Sequence, residues 1–153
     1  MNRREAVSIL VAMVASLFIG LGTDAYGAED GLAIKGYDPV AYFTESKPMP
    51  GDAQFRYEWD GAVYQFASAK HLELFKADPD RYLPQHRNLC TAAMSRGEKV
   101  IADPNNWTIH EGRLYLFGKP VGPGKLLADP AGVKARADAN YDKVSQLPDP
   151  VQQ

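Results

Sequence analysis

Two stretches of this chain share one grammar, and a sequence built that way has few folds open to it. In the first, Phe55, Tyr57 and Trp59 alternate with polar residues, Asp60-Gly61 marks a tight turn, and Val63-Tyr64-Gln65-Phe66 runs back. In the second, Trp107 to His110 leads into Glu111-Gly112, and Arg113 to Phe117 returns. Alternation of period two around a short turn ending in glycine is the signature of a β-hairpin. Gly61, Tyr64, Phe66, Ala77, Asp78 and Pro79 recur at unchanged spacing as Gly112, Tyr115, Phe117, Ala128, Asp129 and Pro130. Two copies of a strand–turn–strand–helix unit would leave this trace, and so would hairpin and cap chemistry used twice. One hairpin alone is marginal in water. The pattern therefore predicts an α+β domain, a small antiparallel sheet of two β-hairpins with helices packed on one face.

Between and around the hairpins the helical signals are local. Ser68 is an N-cap for a helix running to about Ala77, with Leu72 and Phe75 toward the core. Asp78-Pro79 opens a short turn ending at Tyr82-Leu83, and a second helix is expected from Gln85 to Arg96, stopped by Gly97. Val133 to Val144 reads as a C-terminal helix. Gly36-Tyr37-Asp38-Pro39 is a turn before the short apolar element Val40 to Phe43, and residues 47–52 and 118–124 are loops.

The N-terminus carries a different message. Arg3-Arg4 precede an apolar run from Ala6 to Leu21, and Ala25-Tyr26-Gly27 offers small residues for a cut. The run is shorter than the about 20 residues a membrane-spanning helix needs, so residues 1–27 read as a secretory signal peptide cleaved after Gly27, with Ala28 as the alternative cut. An uncleaved anchor is the alternative. The paired arginines raise the twin-arginine route, which Glu5-Ala6-Val7 matches poorly. The organisation expected is a signal peptide over 1–27, one domain over 28–144 and a disordered tail over 145–153. The protein is read as exported, periplasmic or secreted, monomeric, and free of the membrane once cut.

The net charge of −2 brings no basic patch to follow a phosphate backbone, which argues against nucleic acid as a partner. Cys90 is the only cysteine, so it cannot staple its own chain in an oxidising compartment. It is left as a buried thiol, an intermolecular bridge or a ligand. On the expected helix His86, Cys90 and Met94 stand four apart and line one face. Imidazole, thiolate and thioether together suit Cu(I), with His71 as a fourth ligand from the preceding helix. The same face, with Leu89 and Ala93, is also what an ordinary buried helix presents. Cysteine catalysis would need an orienting carboxylate that the spacing does not supply. Asp38, Asp78, Asp103 and Asp129 all precede proline as turn and cap residues, and His110 beside its hairpin turn is expected in solvent. No catalytic constellation emerges, and the chain is not expected to be an enzyme.

Gly36-Tyr37-Asp38-Pro39-Val40-Ala41-Tyr42-Phe43, Tyr64-Gln65-Phe66-Ala67-Ser68, Phe75, Asp78-Pro79 and Tyr82 resemble the YHS domain family. Pro84-Gln85, Cys90 and the segment from Trp107 to Leu116 resemble its exported branch in particular. The resemblance implies a small α+β domain with a metal-binding role attributed to cysteines. Those cysteines match Ala41, Ala67 and His71 here, so this chain cannot use the metal site of the cysteine-bearing members. The function expected is an exported accessory protein binding a soft metal, copper, through Cys90, His86, Met94 and His71. The alternative is a small-ligand or protein-interaction module with Cys90 buried in the core.

Overall fold

A computed structural model describes residues 31–150. The expected signal peptide over residues 1–27 and its cut after Gly27 lie outside the described residues. The α+β class is confirmed: two antiparallel hairpins are interleaved with short helices. The first elements of the described residues are a turn at Ala33–Gly36 and helix α1, Ala41–Thr44. The first hairpin, β1 (Asp52–Trp59) and β2 (Ala62–Phe66), leads to α2 (Ala69–Ala77) and α3 (Pro79–Tyr82). Helix α4, Thr91–Met94, precedes the second hairpin, β3 (Asp103–His110) and β4 (Arg113–Phe117). Helices α5 (Gly122–Ala128) and α6 (Pro130–Ser145) follow. No helix of the described residues is long and apolar enough to cross a membrane.

The hairpins do not join into one sheet; each stands as its own two-stranded ladder. Their registers nevertheless coincide. Asp52 pairs Phe66 and Trp59 pairs Ala62, while Asp103 pairs Phe117 and His110 pairs Arg113, each with an irregularity at the same place. Both turns use two left-handed residues, Asp60-Gly61 (φ 48° and 74°) and Glu111-Gly112 (φ 51° and 71°). That backbone matches the strand twist, and the glycine adopts it without strain. A parallel bridge lies beside the returning strand in each unit, Leu32 with Val63 and Pro84 with Leu114. Asp78 and Asp129 each end one helix and cap the next, accepting from the Arg81 and Gly132 N–H groups. One plan is therefore built twice.

The main core draws on both units. Tyr42, Tyr64, Phe66 and Phe75 pack with Leu114 and Leu116. Each such side chain contributes about 1.5–3 kcal/mol through the area it removes from water. The buried Tyr42 hydroxyl donates to the Pro104 carbonyl at 2.8 Å, and its ring meets Trp107 edge-on. Smaller clusters hold Cys90 with Phe117 and Leu126, and Met94 with Ala137 and Val144.

Three elements differ from expectation. The helix expected over Gln85–Arg96 is a turn followed by the four-residue α4, because Arg87 takes φ 54° and Cys90 is extended. Helix α5 forms where a glycine- and proline-rich loop was expected, with Pro123 in its first turn, where a missing N–H is harmless. Helix α6 starts at Pro130 and reaches Ser145. Beyond it, Lys99 donates to the Ser145 and Leu147 carbonyls (3.1 and 2.5 Å) and pairs with Asp149 at 2.9 Å.

Candidate functional site

The four side chains considered as metal ligands lie in three different settings. His86 sits in the turn before α4 and is 2 % exposed. The Asp138 carboxylate on α6 can only accept, so the 3.0 Å contact places a hydrogen on Nε2 of His86. In the neutral ring Nδ1 then accepts from the Thr91 hydroxyl, also at 3.0 Å. Burial lowers the His86 pKa, and the bond to Asp138 opposes that shift only in part. Rings of Tyr115 and Tyr141 flank it.

Cys90 is the residue before α4. Its Sγ accepts from the Ala93 N–H at 3.4 Å, and the side chain is 7 % exposed. The thiol therefore satisfies one of the amides that a helix start leaves without an internal partner. Asp38 does the same in the first unit, where Oδ1 accepts from Val40 N–H (2.8 Å) and Ala41 N–H (3.3 Å) ahead of α1. Met94 is fully buried among apolar neighbours. Because the expected helix is not formed, His86, Cys90 and Met94 do not share one helix face.

His71 lies on α2, whose start is capped by Ser68. Its Nδ1 is 2.6 Å from Oδ2 of the fully buried Asp38, which also accepts from the Ala67 N–H at 2.8 Å. On the other side, Nε2 is 3.2 Å from the Thr44 hydroxyl and 3.6 Å from the Glu45 carboxylate. A buried carboxylate thus fixes the ring and aims Nε2 at the exposed end of α1, the orientation seen for histidines that hold a metal or accept a proton. Sequence reasoning named His71 and missed Asp38 as its partner. The two are 33 residues apart, and Asp38 was fully explained as a turn residue. Among the described residues, no three His, Cys, Asp or Glu side chains are gathered to hold a metal ion. His110, expected in solvent, is half-buried, with Nε2 3.7 Å from Glu111.

Two adjoining clefts open elsewhere on the surface, along the line where the two units meet. One, of about 370 Å³, is lined by Asp60, Tyr64, Leu83, Arg87 and Tyr141 among others. Its neighbour, of about 440 Å³, is lined by Phe43, Asp78, Arg81 and Gly112, and both share Asp80 and Arg113. Arg87 pairs with Asp60 across the first.

Residues 40–86 match the family model described as YHS domain, a segment that runs from the start of α1 to His86 and stops short of Cys90. No curated protein and no solved structure matches the chain.

Proposed function

We propose, from the premise that residues 40–86 are a YHS domain, that the chain is an exported accessory protein whose domain binds a partner other than a metal ion. Export is supported by the basic head, apolar run and small-residue cut of residues 1–27. The observation that carries the rest is that the atoms a soft metal would need are already in use. Both ring nitrogens of His86 and the Cys90 sulfur have partners inside the fold. A copper ion there would have to displace Thr91, Asp138 and the Ala93 amide; Asp138 is exposed to water, but the buried Thr91 hydroxyl and Ala93 amide would be left unpaired at about 1–3 kcal/mol each. The reading is non-catalytic and gives the Cys90 thiol the part of a helix cap.

A second reading is favoured by the Asp38–His71 pair. A metal held by Nε2 of His71 and the Glu45 carboxylate would have Asp38 as the group that orients its ligand. Nitrogen and oxygen donors of that kind suit zinc better than Cu(I).

Titration of the purified protein with Cu(I) and separately with Zn(II), against a competing chelator, tests both readings alongside Cys90→Ser, His86→Ala and His71→Ala. The first reading expects no tight site for either ion and a Cys90 thiol that labels only on unfolding. Tight Cu(I) binding abolished by Cys90→Ser would overturn it. Zinc binding lost in His71→Ala alone would establish the second.

A further inference from the structure

The cleft beside the second hairpin turn has a composition that the reading above does not use. Arg81 and Arg113 both line it, and among the described residues neither guanidinium has a carboxylate partner. Arg113, the first residue of β4, makes one long bond of 3.4 Å to the Asp80 backbone carbonyl. Arg81 lies over the Tyr82 ring, 5.7 Å from its centre. Most of their hydrogen-bond donors are therefore unspent, although a guanidinium presents five in a fork that fits a carboxylate. Phe43, half-buried and edge-on to Tyr82, supplies an apolar part of the lining. The volume of about 440 Å³ falls within the range of small-molecule sites.

The acids in the cleft narrow the ligand further. Asp78 caps α3 with its Oδ1, and Asp80 contributes a second carboxylate. Two cations faced by two anions give little net attraction for a multiply charged anion such as phosphate. A single carboxylate on the arginine forks, with its body against Phe43, meets both the charge and the apolar lining. We propose that this cleft binds a small monocarboxylate with an apolar body, the anchor being Arg113 with Arg81 beside it. The proposal rests on the reading of a non-metal binding module and names its ligand class.

The test is titration of the purified protein with phenylacetate, followed by amide chemical shifts, with inorganic phosphate and phenethylamine as comparison probes. Saturable phenylacetate binding with shifts at Phe43, Arg81, Gly112 and Arg113 is expected. Arg113→Gln should weaken it about tenfold or more, the loss of a charge-assisted pair. Arg136→Gln, remote in sequence and paired with Asp129, should leave it unchanged. Absence of saturable binding, phosphate binding as tightly as phenylacetate, or indifference to Arg113→Gln would each overturn the proposal. Such a failure beside a silent Cys90 thiol leaves the non-metal reading standing. Tight copper binding would end that reading whatever the cleft does.

Discussion

At the scale of single residues, the histidines show how burial and partner decide chemistry. His86 has its pKa lowered because its charged form would be desolvated, and Asp138 offsets only part of that. The unfolded chain, with a histidine near the ordinary value of about 6.5, then binds more protons than the folded one at mildly acidic pH. Stability is full above that value and is lost as pH falls through it towards the lowered folded value. Urea unfolding from pH 8 to pH 5 should show the decline, and His86→Gln should flatten it. A decline of equal size in the variant would assign the effect to other groups. The candidate residues were only partly legible beforehand. His71 and His86 stand out by type, but their partners Asp38 and Asp138 are distant in sequence, and distance hides a contact that no local pattern encodes.

At the scale of elements, legibility followed the strength of local chemistry. The hairpins declared themselves through alternation and glycine turns, and α2 through its Ser68 cap. The stretch from Gln85 to Arg96 misled because apolar spacing of helical period was present while the backbone at Arg87 and Cys90 left helical geometry. Contacts distant in sequence, of His86 to Asp138 and of Cys90 to Phe117, which periodicity does not report, take precedence there. Helix α5 was hidden by glycines and a proline that tertiary packing tolerates. Asp78 and Asp129 each cap a helix in the same way, so Asp78→Ala and Asp129→Ala should each lower stability by about 1 kcal/mol. The double variant should lose the sum, measurable as shifts in the urea midpoint at constant slope. A much larger loss for one than the other would show that the two units do not use the motif equivalently.

At the scale of the whole molecule, the units are joined more tightly than their separate ladders suggest. The main core mixes Phe66 and Phe75 of the first with Leu114 and Leu116 of the second, and Tyr42 reaches across to Pro104. Unfolding is therefore expected as one cooperative transition by both far-ultraviolet and tryptophan signals, since Trp59 and Trp107 report one unit each. Tyr42→Phe should lower its midpoint by the equivalent of about 1 kcal/mol, the net worth of one buried hydrogen bond. Separate transitions for the two signals would contradict the shared core.

The shared plan is broken at one point of contact. Gly122 stands where the first unit has His71, and a Cβ there would collide with the Phe117 ring. The pocket that accepts an imidazole beside Asp38 therefore has no counterpart beside Cys90. The doubled frame therefore yields one imidazole resting on a buried carboxylate and not two, and whatever Asp38 and His71 do, one half of the molecule does alone.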